Sequence, residues 1–132
     1  MMNARQKDCE TVDNEQARRR GQHQDTNDLP VLDLVHLSCQ TFGDPALERE
    51  VLRLFVDQAR QTGDALLRAR SDDERLRLCH LLKGSARGVG AMQVAKAAQD
   101  GERDPASQGA IAVVTTTVAR VGDHVDQLLG PN

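Results

Sequence analysis

Two stretches of this chain repeat apolar side chains at alternating three- and four-residue steps, and that period limits the possible folds more than any other feature. Leu52, Phe55, Ala59, Thr62, Leu66 and Ala69 form one series, and Ile111, Val114, Val118, Val121, Val125 and Leu128 form another. An α-helix gathers residues at these steps onto one stripe, so both segments are predicted to be helices with one buried face. The second stretch contains a conflict, because Val113 to Val118 is β-branched throughout and locally favours a strand. Its period persists from residue 111 to 128, far beyond the roughly five to six residues of a usual strand. Periodicity should therefore prevail over propensity. Aromatic residues make up only 2% of the chain, as Phe42 and Phe55, with no Trp or Tyr. That composition serves a β-sandwich poorly and leaves no aromatic cage or base-stacking platform.

Breaks between periodic segments outline the remaining helices. At 132 residues the chain has room for one domain and one core. Residues 1–28 are polar with mixed charge and read as a flexible tail, with a short helical segment around Glu15–Arg20. The bundle proper is expected over residues 29–130. Pro30 suits the first turn of a helix over about 30–41, with Val31, Leu34, Val35 and Leu37 as its apolar side. Gly43-Asp44-Pro45 is the next break, with Asp44 as N-cap and Pro45 as first helical residue of the long helix that carries Phe55. Gly63 is a point where that helix could soften. Ser71-Asp72-Asp73-Glu74 has the S-x-x-E form of a capping box and starts a third helix, which ends near Gly88 or Gly90. A shorter helix spans about 91–100, interrupted by Gly101 through Pro105, and the Ile111 series supplies the last. The sum is an all-α antiparallel bundle with short connections.

Charge and cysteine usage exclude several functions. With 17 Lys and Arg against 20 Asp and Glu, the formal charge of −3 argues against a protein whose main partner is nucleic acid. No apolar stretch approaches the roughly 18–20 residues that span a bilayer, and the N-terminal residues lack the apolar core of a secretory signal. The expectation is a cytoplasmic protein without a membrane partner. Cys9, Cys39 and Cys79 are odd in number and scattered, which reads as reduced thiols.

The chemistry concentrates on the third helix. With His80 at zero on a helical wheel of about 100° per residue, Leu78, Leu82, Ser85 and Val89 cluster on the opposite side, flanked by Cys79 and Ala86. His80 is thus directed away from the predicted core. Asp73, Leu76, Lys83, Gly84 and Arg87 share its outward face, all within about 60° of it. Gly84 weakens a helix interior by roughly 1 kcal/mol relative to Ala, but it leaves no side chain one turn beyond His80 to block an approaching partner. Leu76, with Leu81 bordering the same region, adds apolar contact to a face that solvation alone would make polar. A neutral imidazole has a lone pair available for attack. Lys83, three residues on, can offset negative charge on a phosphoryl group held at His80, with Arg77 and Arg87 adding a weaker field. Asp73 lies roughly 10 Å away along the axis, too far to share a metal ion with His80. Taken alone, H-x-x-K-G fits an ordinary solvated face equally well.

The longer string His80-Leu-Leu-Lys83-Gly84-Ser85-Ala86, followed at the same spacing by Gly90-Ala91, resembles the signature of histidine-containing phosphotransfer (HPt) domains. Phe42-Gly43-Asp44-Pro45 and the helix around Phe55 are also similar to the start of that family's second helix, and the resemblance covers roughly Val31 to Leu129. It implies an antiparallel four-helix bundle with an additional short N-terminal helix. His80 would be the phosphoacceptor, Lys83 the support of the phosphoryl group, and Leu76, Leu81, Gly84 and Arg87 the docking surface. The chain departs from the pattern at Gly101, where the family usually continues a helix with a bulky apolar residue, and at Arg75, a position often apolar.

The resemblance implies a phosphorelay carrier that takes a phosphoryl group from a receiver-domain aspartate and returns it to another. Response-regulator receiver domains would be its partners, with a hybrid sensor histidine kinase as a further candidate. Mg²⁺ is expected on the receiver, with no cofactor of the chain's own. A Gly-rich nucleotide loop is lacking, so ATP-dependent kinase activity is not expected, and a bundle with its stripes satisfied internally suggests a monomer. One alternative is a non-catalytic module that sequesters a receiver through the same face. Another is a metal site from His36, Cys39, Cys79 and His80, which the roughly 100° between adjacent Cys79 and His80 disfavours.

Overall fold

The computed structural model describes residues 29–130, so the expectations for residues 1–28 lie outside the described residues. Within them the chain forms five α-helices and no strand: α1 (Leu34–Gln40), α2 (Pro45–Arg68), α3 (Asp72–Val89), α4 (Met92–Arg103) and α5 (Gln108–Leu129). Helices α2 to α5 form the four-helix bundle, each packed against its neighbours in a ring, and the short α1 lies against α3. No helix among the described residues is long and apolar enough to cross a membrane.

The local signals act where the sequence places them, with two departures. Asp44 caps α2 by accepting from the backbone N–H groups of Ala46 and Leu47, with Pro45 in the first turn. The buried stripe Leu52, Phe55, Ala59, Thr62 and Leu66 runs on through Gly63 without a break. Ser71 caps α3 by accepting from Glu74 N–H at 3.1 Å. The reciprocal half of that box shifts by one residue, since the Glu74 carboxylate accepts from Arg70 N–H. Arg75, the unusual residue in this turn, donates to Asp72 Oδ1 at 2.9 Å and to the Ala69 carbonyl at 3.0 Å, tying the α2–α3 connection together. In α5 the β-branched run is helical, with Ile111, Val114, Val118, Val121 and Val125 buried and Leu128 exposed. Thr117 is accommodated there because its hydroxyl donates to the Val113 carbonyl one turn back, at 2.6 Å.

The first departure is α1, which begins at Leu34 rather than near Pro30. Asp33 caps it by accepting from His36 N–H at 3.0 Å, while Asp33's own N–H donates to the Gly90 carbonyl at 2.8 Å. That second bond holds the chain against the end of α3 before the helix can start. In consequence Leu32 and Leu37 are buried, whereas Leu34 and Val35, expected on the apolar side, are exposed. The second is α4, which continues through Gly101 to Arg103 instead of stopping near residue 100. Gly101 is buried against α3 and α5, and tertiary packing outweighs its poor helix propensity. Of the thiols, Cys79 is free and buried, and Cys9 lies outside the described residues.

Gly90 has two duties at the end of α3. With φ at +82°, it closes the helix in a Schellman arrangement in which Ala91 N–H donates to the Ala86 carbonyl and Gly90 N–H to that of Arg87. A Cβ at this position would stand 2.8 Å from the Asp33 carbonyl oxygen, so the bare α-carbon also seats the residue that caps α1. Gly90→Ala should lower stability by at least about 1 kcal/mol, because the left-handed conformation alone carries a penalty of roughly 1–2 kcal/mol for a residue with a Cβ. Urea denaturation followed by helical circular dichroism measures it, and an unchanged midpoint would contradict this account.

Candidate functional site

His80 sits in the middle of α3 with its side chain 71% exposed. The core face of the helix is Cys79, Leu82, Ala86 and Val89, with Leu78 and Ser85 half-buried. That set is centred about 40° round from the sequence expectation, toward the Cys79 flank, because α4 packs there. The outward face stands as expected: Leu76, Leu81, Gly84 and Arg87 are all exposed around His80. A Cβ at Gly84 would meet no atom of the described residues within 4 Å, so nothing among them requires glycine at that position.

Lys83, expected to support a phosphoryl group at His80, also has a partner within the bundle. Its side chain is only 18% exposed and turns toward α4, where Nζ donates to Glu102 Oε2 at 2.5 Å. The other oxygen of the same carboxylate, Oε1, lies 2.5 Å from His80 Nδ1. One glutamate therefore bridges the imidazole and the ammonium. The Lys83 hydrogen bond, followed by that of His80, holds the Glu102 carboxyl below its ordinary range against the opposing effect of burial. An ionised carboxylate only accepts, so the hydrogen in the bridge belongs to His80 Nδ1. In the neutral ring this leaves the lone pair on Nε2, the nitrogen opposite the bridge.

Sequence reasoning missed Glu102, which is 22 residues from His80 and on a different helix. The expected interruption at Gly101 also removed it from any regular element. A signal was present: Val94, Ala98 and Gly101 continue the buried stripe of α4 at four- and three-residue steps. Extending the helix on that period places Glu102 on its flank, one residue round from the core.

Two residues of the metal alternative, Cys79 and His80, diverge within α3. Cys79 is fully buried, its thiol pushed up first by desolvation and then by the nearby Glu102 charge, while its neighbour His80 is directed outward. No group of three or more His, Cys, Asp or Glu among the described residues is arranged to hold a metal ion. What the site offers is an exposed imidazole whose Nδ1 is engaged by Glu102, on a face with a bare glycine and exposed Arg77 and Arg87. It can accept an electrophilic group that a partner delivers.

Compared with models of protein families, residues 50–129 match the one described as the Hpt domain. No curated protein and no solved structure matches the chain.

The bridge makes a prediction about protonation. Glu102 has a lower pKa folded than unfolded, so its stabilising contribution is complete above the ordinary glutamate value of about 4.3 and is lost as pH falls through the depressed one. Carbon-13 NMR of the side-chain carboxyl should show Glu102 titrating below the other glutamates, and Lys83→Met should move it upward. A Glu102 that titrates with the rest would mean that the bridge does not form in solution.

Proposed function

The chain belongs to the Hpt domain family, whose members carry out histidine phosphotransfer in phosphorelays, and on that premise we propose that His80 carries the phosphoryl group between receiver-domain aspartates. In the forward step the Nε2 lone pair attacks phosphorus of the aspartyl phosphate. The N–P bond forms as the P–O bond to the aspartate breaks, and the aspartate leaves as a carboxylate. The ring becomes positive in this step, and Glu102, already accepting from Nδ1–H, offsets that charge. In the return step a second receiver's carboxylate attacks phosphorus and the N–P bond breaks. Because Nδ1 keeps its proton throughout, imidazole departs neutral rather than as an anion.

The other groups have supporting roles. Lys83 holds Glu102 in its ionised form and brings positive charge toward the phosphoryl oxygens. Gly84 leaves the α3 backbone bare one turn from the nucleophile, while Leu76, Leu81 and Arg87 border the surface where a receiver docks. Both Glu102 oxygens are engaged, by His80 and Lys83. Mg²⁺ and the acidic pocket belong to the receiver in this reading. The observation that carries it is the single carboxylate that fixes the His80 tautomer and pairs Lys83.

The test is transfer of labelled phosphoryl from a phosphorylated receiver. The intact chain should acquire acid-labile label, and His80→Gln should acquire none; equal labelling of that variant would refute the proposal. Receiver binding without any transfer would instead favour sequestration. Glu102→Ala should slow transfer by about ten- to a hundredfold, equivalent to roughly 1.4–2.7 kcal/mol of barrier. Gly84→Ala separates folding from docking. It should raise stability by about 0.4–1 kcal/mol, since the new Cβ meets nothing, and yet weaken transfer. A Gly84→Ala protein with undiminished transfer would remove Gly84 from the docking surface.

A further inference from the structure

Glu102 reaches α3 beside a close contact between the two helices. Its neighbour Gly101 is buried, and a Cβ there would lie 2.8 Å from Cys79 Sγ, 3.4 Å from Val114 Cγ2 and 3.7 Å from Ile111 Cδ1. The backbone does not demand glycine, since Gly101 is not among the residues with positive φ. Nor does helix propensity, which disfavours glycine in an interior turn. What the position requires is the absence of a side chain, and the atom nearest to a Cβ there belongs to Cys79, the residue before His80. Thus the pair Gly101 and Cys79 is offset by one residue in each helix from the pair Glu102 and His80. Cys79 has no exposed surface, and the Val114 and Ile111 side chains of α5 also stand within 4 Å of that Cβ position, so a larger group at Gly101 is relieved by moving α4 outward. Both ends of the bridge are already at 2.5 Å, and an outward shift draws the carboxylate away from α3.

We propose that Gly101 and Cys79 are positioning residues for His80: their contact sets the α3–α4 separation at which Glu102 spans His80 Nδ1 and Lys83 Nζ, and so fixes which ring nitrogen is the nucleophile. The phosphotransfer consequence rests on the reading of His80 as phosphoacceptor, whereas the tautomer consequence does not. It also gives the departure at Gly101 a purpose, since a bulky apolar residue there is incompatible with a thiol at position 79.

Nitrogen-15 NMR of the His80 ring in the full chain, at alkaline pH where the imidazole is neutral, tests the proposal directly. The wild-type ring should be protonated at Nδ1, and Gly101→Ala should shift it to a mixture with the Nε2-protonated form while slowing transfer from a phosphorylated receiver by about tenfold. Adding Cys79→Ala to Gly101→Ala removes the sulfur and should restore both the tautomer and the rate. Cys79→Val, which adds bulk from the other side and retains glycine, should reproduce the tautomer shift and gives the decisive reading if Gly101→Ala does not fold. A folded Gly101→Ala with the wild-type tautomer would overturn the proposal, as would a shift that Cys79→Ala does not reverse, or a wild-type tautomer in Cys79→Val. Failure of the wild-type chain to take label would sink the phosphotransfer reading and leave the tautomer measurements to decide this one.

Discussion

A core made almost entirely of Leu, Val and Ala must be closed by bringing helices together, because it has no large rings to fill a wide gap. Phe55 is its one aromatic, and Phe42 is exposed at the α1–α2 turn. Interiors are packed to crystal-like density, so small side chains translate into short distances between helices. Helices α3 and α4 share the most extensive packing, and between them bury Ala86, Cys79, Ala97, Ala98 and Gly101. Side chains at the edge of such a seam can bridge it. Glu102 does so, and the position of one carboxylate relative to one imidazole follows from the volumes packed beneath them.

Most of the architecture was legible from one-dimensional signals because those signals are themselves local physics. The stripe of α2, the Asp44 and Ser71 caps and the Gly90 terminus each depend on groups within a few residues of one another. Even the conflict in α5 resolved from the sequence, because a period held over many residues outweighs the preference of six. The start of α1 was illegible for the opposite reason: Asp33 is tied to Gly90, far along the chain, and that bond decides where the helix can begin. Gly101 misled because its propensity could be read locally while the sulfur it accommodates could not.

The site divides along the same line. His80, Gly84 and Arg87 share a face of one helix, so spacing alone could place them together and direct them outward. Glu102 comes from another helix, and its partnership with His80 and Lys83 exists only once the bundle is assembled. The sequence reading assigned the Lys83 ammonium to the phosphoryl group. In the folded chain that charge is already committed to Glu102, and its influence at His80 passes partly through the carboxylate.

The shared carboxylate also bears on how the site responds to a change of charge. Glu102 accepts from His80 and Lys83 at once, and both bonds hold its carboxyl ionised. A gain of positive charge on the imidazole therefore competes with the Lys83 ammonium for the same two oxygens. Imidazole, carboxylate and ammonium form one electrostatic unit across two helices, so a change at any one of them is felt by the other two.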